Sequence, residues 1–166
     1  CIFILNAGHE TTTNIIGNGV AALFENPSQL SELRKNPRLI NLAVEEFLRF
    51  ESSNQLGNHR VSHDTIIGGV KMHAGTYIHL CIGAANRDPA QFEDPETLNI
   101  KRWPNRHIAF GSGTHTCAGM SLARLEGRIA IKRLIEKFPK LARNGDFKRG
   151  GRARFRGFIS YPMLAE

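Results

Sequence analysis

The sequence predicts a mainly α fold with small β-hairpins, an α+β arrangement, and three observations predict it. Apolar residues recur at helical spacing in residues 1–25, 39–50 and 121–139, with polar and charged residues between them. From Arg60 to Ile82 the pattern changes to short β-branched runs broken by Gly68-Gly69 and His73-Ala74-Gly75, as in strands joined by tight turns. The stretch AANRDPAQFEDPETLNIKRWPN is polar, rich in Asp-Pro and without period, which predicts an irregular loop.

The elements follow in chain order. Residues 1–25 read as one helix ended by Asn26-Pro27, because the residue before a proline is steered out of the helical region. Ser28 is expected to cap a short second helix through SELRKNP, which Pro37 stops. LINLAVEEFLRF, Leu39 to Phe50, is the third helix. Beyond the hairpins and the irregular loop, SLARLEGRIAIKRLIEKFP predicts an amphipathic helix running to Pro139. RARFRGFISYPM reads as a terminal strand pair around Gly157. The first residues lie inside an apolar run with no initiator methionine and no cap. Residues 1–166 are therefore expected to be a single partial domain with its N-terminal part missing.

At 166 residues, 41% hydrophobic and 22% charged, the chain is long and apolar enough for a packed core. Cys1, Cys81 and Cys117 are too few and too scattered for a disulfide framework, which points to a reducing, cytoplasmic setting. No apolar run approaches membrane-spanning length. Charge is uneven: residues 1–100 carry a net −4 and residues 101–166 a net +11. A basic end can serve nucleic acid, anionic lipid or an acidic protein. The interleaved aromatics and fingerprint motifs of nucleic-acid modules are missing, so a nucleic-acid partner is not expected.

One stretch is unlike the rest: FGSGTHTCAG, Phe110 to Gly119. A lone cysteine in a helix or strand is usually a small core residue and needs no glycines. A thiolate that ligates iron needs a backbone able to bend around it. Gly111, Gly113 and Gly119 permit tight turns and close approach to a flat cofactor. Backbone N–H groups aimed at the sulfur would spread its charge. The positive end of the helix that follows favours the thiolate as well. Phe110 is placed to lie against the cofactor face.

Phe110-x-x-Gly113-x-His115-x-Cys117-x-Gly119, continued by Ser121-Leu122-Ala123-Arg124-Leu125-Glu126, resembles the haem-binding signature of the cytochrome P-450 family. The resemblance is to soluble, bacterial-type members and covers their C-terminal part, so it implies that part of the cytochrome P-450 fold. It implies haem b with Cys117 as the axial thiolate to iron, and His115 as a hydrogen-bond donor to a haem propionate. Ala7-Gly8-His9-Glu10-Thr11-Thr12 resembles the family's distal helix, where Gly8 leaves room for dioxygen and Glu10 beside Thr11 relays protons or orders the water that does. Thr11 can also bond back to a helix carbonyl and open the helix locally. Glu46-Phe47-Leu48-Arg49 is similar to the family's buried E-x-x-R pair, which supports the cysteine loop. Arg102 is the candidate third member, with Arg106 and His107 in competition. Arg60 sits where bacterial-type members carry an arginine for a propionate. Departures fall at Ser52-Ser53 and His73-Ala74-Gly75, where the family usually has Ser-Pro and Pro-Ala-Gly.

The implied function is a haem-thiolate monooxygenase acting on dioxygen and a small organic substrate. Electrons would come from NAD(P)H through a ferredoxin or flavodoxin-type donor. Arg124, Arg128, Lys132 and Arg133 would then form a basic face for that acidic partner. The alternative is a catalytically inactive truncated remnant, or partial record, that at most binds haem.

Overall fold

The computed structural model describes residues 2–165, and of Phe3 the backbone alone. Helix α1 (Ile2–Glu25) leads into α2 (Pro27–Lys35), a 3₁₀ turn at Pro37–Leu39 and α3 (Ile40–Phe50). Four strands follow: β1 (Leu56–Arg60), β2 (Thr65–Ile67), β3 (Val70–Met72) and β4 (Tyr77–Cys81). The one-turn helix α4 (Ile82–Ala85) opens the irregular loop, and α5 (Met120–Lys137) comes after the cysteine stretch. The chain closes with β5 (Ala142–Arg143), β6 (Lys148–Arg149), β7 (Phe158–Ser160) and β8 (Met163–Leu164).

The core lies where the C-terminal half of α1 meets α3 and α5. Ile15, Val20 and Leu23 pack with Val44, Phe47, Leu48 and Ile131, and the irregular loop adds Leu98 and Ile100. Gly19 permits this approach: a Cβ there would lie 2.8 Å from the Phe47 ring and 3.0 Å from Ile131. The small sheets are antiparallel pairs. β1 pairs with β4 from Leu56↔Cys81 to Arg60↔Tyr77, and β2–β3 form a hairpin between them. Gly68 and Gly69 both have positive φ, the conformation that a two-residue hairpin turn demands.

Three sequence expectations are corrected. Ser28 is not a cap: α2 begins at Pro27 after Asn26, since proline's fixed φ suits the first helical position and its missing N–H is not needed there. Residues 152–163 do not fold on each other around Gly157. β7 pairs with β6 and β8 with β5. Gly157 is a close-approach position, because a Cβ there would overlap the Asn14 side chain of α1. Helix α5 has the expected bounds within two residues but is not simply amphipathic. Leu122, Leu125 and Ile129 are exposed on it, as are Ile4 and Leu5 on α1.

Candidate cofactor site

The cysteine loop is a tight, self-bonded structure. The Cys117 N–H donates to the Phe110 carbonyl at 2.9 Å, and the Gly111 N–H donates to Ile108 at 2.9 Å. Gly111 and Gly113 take φ of 69° and 73°, the left-handed region, so the loop can turn twice in three residues. A 3₁₀ turn at Gly113–His115 leads to Cys117, and Gly119 occupies the cap position of α5. The Cys117 thiol is exposed. Among the described residues no hydrogen bond reaches its Sγ, so the expected N–H donors to sulfur are not formed in this arrangement.

Behind the loop sits a buried ion cluster. Glu46 and Arg49 share one face of α3, and their side chains are 0% exposed. Arg49 donates to both Glu46 oxygens at 2.8 Å. Its remaining donors reach the carbonyls of Asn86 and Pro95 at 2.9 Å and of Thr97 at 3.3 Å. Arg102 donates its Nε–H to Glu46 and Nη1 to the Glu93 carbonyl at 2.7 Å. The structure thus brings Arg102 to Glu46, and neither Arg106 nor His107 bonds there. The Asn99 N–H and the Asn105 amide complete the shell of Glu46. Each oxygen of a buried carboxylate is therefore satisfied, which is what keeps such a pair from being a net burden.

A second cluster was not foreseen from sequence. Glu45 receives Arg124 Nε at 2.8 Å and Nη2 at 2.9 Å from α5, with His107 Nε2 at 3.0 Å and Arg128 at 3.7 Å. Burial alone would push the Glu45 carboxyl up, but the hydrogen bonds from His107 and Arg124, and the Arg124 charge, hold it down at about 2. Arg124 and Arg128 are thus engaged with α3 rather than free on the helix surface, which thins the expected basic face. The one available signal was the adjacent Glu45-Glu46 pair, whose two carboxylates leave α3 on different sides. Asn86 was also missed. It is 0% exposed, its side-chain oxygen Oδ1 accepts the Ile108 N–H at 2.8 Å, and its side-chain Nδ2 donates to the Ser52 hydroxyl.

On α1, Thr11 donates its hydroxyl to the Ala7 carbonyl at 2.7 Å, and the Thr11 carbonyl accepts the Ser53 hydroxyl at 2.9 Å. Glu10 pairs with Arg152. A Cβ added to Gly8 would have no neighbour within 4 Å. On the hairpin side, Arg60 donates to the Gly75 carbonyl at 3.2 Å and lies over the Tyr77 ring. His115 is exposed, with the ring of His59 centred 6.3 Å away, so β1 stands beside the cysteine loop. A cavity of about 290 Å³ near α1 is lined by Gln55, Arg149, Arg152, Phe155, Arg156 and Gly157.

These residues fit a haem. One exposed soft sulfur donor stands on a glycine-turned loop, with exposed His115 on the same loop for an acidic substituent; Arg60 is exposed on β1, the strand whose His59 faces His115. The apolar positions Ile4 and Leu5, with Gly8, are open on α1. No group of three or more His, Cys, Asp and Glu gathers among the described residues. None of the described helices is long and apolar enough to cross a membrane.

A family model described as Cytochrome P-450 matches residues 34–148. The biotin biosynthesis cytochrome P-450 of Bacillus subtilis (strain 168) is 50% identical over 141 residues, covering 85% of this chain and 36% of that protein. The vitamin D(3) 25-hydroxylase of Pseudonocardia autotrophica is 46% identical over 142 residues, 85% of this chain and 35% of that protein. Among solved structures, P-450 BioI in complex with hexadec-9Z-enoic acid ligated acyl carrier protein superposes with a TM-score of 0.97 at 44% identity. It covers 100% of this chain and 44% of that one. The chain thus spans little more than a third of the length of the curated relatives it matches.

Proposed function

As the chain belongs to the cytochrome P-450 family and has part of that family's α+β fold, we propose that in full-length form it is a haem-thiolate monooxygenase. Haem iron held by a thiolate activates dioxygen, so that one oxygen atom enters an organic substrate and the other leaves as water. Cys117 is the thiolate. Gly111 and Gly113 bend the loop so that its sulfur stands clear of the chain, and Phe110 holds the loop to the core. His115 and Arg60 bind the cofactor's carboxylates. Glu46, Arg49 and Arg102 keep the loop's foundation in place without taking part in chemistry.

Glu10 and Thr11 move protons. The Thr11 hydroxyl is already bonded to the Ala7 carbonyl, which frees its oxygen lone pairs to accept from a water or a bound reactant. Glu10 is partly exposed, so it is within reach of solvent water, and its exposed pair with Arg152 can open. Electrons reach the site from NAD(P)H through a ferredoxin or flavodoxin-type donor. With Arg124 and Arg128 engaged by Glu45, Lys132 and Arg133 carry more of the steering than sequence alone suggested.

The observation that carries this reading is the exposed Cys117 on a loop closed by its own N–H and turned by two left-handed glycines. In a full-length form supplied with haem and a ferredoxin system, labelled dioxygen should deliver one labelled atom to product and one to water. Product oxygen drawn from water would overturn the reading. Thr11→Ala should keep the haem but divert reducing equivalents to peroxide, and unchanged coupling would remove the relay role. A second reading is favoured by the exposed Ile4, Leu5, Leu122, Leu125 and Ile129. On that reading the chain alone is an inactive piece that at most binds haem, because these surfaces lack the partners that would dry the site.

A further inference from the structure

The ion cluster around Glu45 has no part in holding the cofactor in the reading above, yet its geometry ties it to the cysteine loop twice. The first tie runs through α5. Arg124 is held by two parallel hydrogen bonds to Glu45, and its guanidinium carbon lies 4.7 Å from the centre of the Phe110 ring. A planar guanidinium fixed at two of its three nitrogens makes a rigid lid over that ring. The second tie runs through His107. Its Nδ1 accepts the Ala109 N–H at 3.3 Å, so the ring proton is on Nε2, where it donates to Glu45 at 3.0 Å. The His107 side chain is 3% exposed. Glu45 therefore grips the two residues on either side of a single peptide: Ala109 through an imidazole and Phe110 through a guanidinium. The Phe110 carbonyl in turn accepts the Cys117 N–H.

We infer that Glu45 is a positioning residue for the thiolate: it fixes the Ala109–Phe110 segment of the loop, and through the Phe110 carbonyl the backbone of Cys117. It does so from a different face of α3 than Glu46 and with none of the same side-chain partners, so two neighbouring carboxylates of α3 hold the loop by separate contacts. The inference rests on the haem-thiolate reading and adds to it a residue outside the E-x-x-R cluster. The low pKa of Glu45 agrees with a carboxylate kept ionised for this task. Three cationic or proton-donating partners on one carboxylate also explain why Glu45→Gln is the sharp test. The amide keeps the shape and loses the charge, and its NH₂ would face an arginine or a histidine donor.

The test uses a full-length form with haem bound. Glu45→Gln and Arg124→Gln should each speed haem transfer to excess apomyoglobin by roughly 10-fold or more, as expected for groups that orient a metal ligand. Each should also convert a fraction of the thiolate–carbon monoxide band to that of a protonated or displaced thiolate. The double variant should be no worse than the worse single one, because both changes break the same tie. Glu136→Gln, which touches only the exposed Lys132 on the same helix, should change neither readout. Thermal melting of each variant separates loss of grip from loss of fold. Should Glu45→Gln fail to fold, Arg124→Lys keeps the test alive, since lysine retains charge but cannot make the two-pronged contact. A wild type with the band and variants indistinguishable from it overturns this inference alone. A wild type without the band overturns the haem-thiolate reading and this inference together.

Discussion

Glu46 and Glu10 are both helical glutamates facing an arginine, yet they sit in opposite surroundings. Glu46 and Arg49 have no solvent exposure, and every oxygen of the carboxylate is bonded to Arg49, Arg102, Asn99 or Asn105. Glu10 is 34% exposed and Arg152 57%. In the first place the low dielectric makes geometry decisive and leaves no freedom. In the second, water screens the pair, which contributes little to stability and can open without much loss. The division suits the two tasks proposed for these residues, since a support under a metal ligand has to be immobile and a proton relay has to exchange. The same contrast runs through the glycines. Gly19 and Gly157 are places where another side chain fills the space a Cβ would need, whereas Gly8 faces open space.

Breaking the buried side should have the largest effect. Arg49→Ala leaves Glu46 charged beneath the loop and unpairs the carbonyls of Asn86 and Pro95, so it should remove about 3–5 kcal/mol of stability. Urea unfolding of a full-length form would measure it. The equivalent cut on the open side, Arg152→Ala, should stay within about 1 kcal/mol of wild type, and equal losses would erase the distinction.

Glu45 lies between these extremes and gives the contrast a pH axis. Its folded pKa is below the ordinary value, so its stabilisation is fully present at neutral pH and is lost as pH falls from about 4.5 towards about 2. Glu45→Gln should therefore lower stability by about 1.5–3 kcal/mol near neutrality. The gap to wild type should close progressively in acid. A gap that does not change with pH, read from urea midpoints across that range, would show that the effect is one of packing and not of charge.

The glycines offer the same substitution with opposite signs. Gly157→Ala forces the new methyl into the Asn14 amide and should destabilise by about 1–3 kcal/mol. Gly8→Ala adds helix propensity in open space and should stabilise the apoprotein slightly, by about 0.5–1 kcal/mol. On the proposed haem-thiolate reading its methyl would enter the space assigned to dioxygen, so oxygen binding in a haem-loaded full-length form should weaken while melting temperature rises.

Much of the buried side was legible in the sequence because its signals are local. A glutamate and an arginine three apart must share a helix face, and glycines around a cysteine must turn. The helices at residues 2–25, 40–50 and 120–137 fell where periodicity placed them. What sequence did not carry was choice among distant partners. Arg124 reads as one more charge on a basic helix, and only the approach of α5 to α3 brings it to Glu45. Gly157 reads as a turn, and only the proximity of Asn14 makes it a contact. The cap of α2 failed for a local reason: Asn26-Pro27, read only as the end of α1, also starts α2, with the proline at its first position. The exposed leucines of α5 read as core by spacing, since a pattern cannot tell which of two apolar stripes has a partner within the chain.

Everything above turns on Cys117 standing as the open ligand over a closed foundation. The direct measurement is the reduced, carbon monoxide-treated absorbance spectrum of a full-length form and of its Cys117→Ser variant. The wild type should show the thiolate–carbon monoxide band and the variant should lose it, with folding unchanged because the exposed thiol carries no packing load. The same band persisting in Cys117→Ser would contradict the assignment of the ligand and the role given to every residue arranged around it.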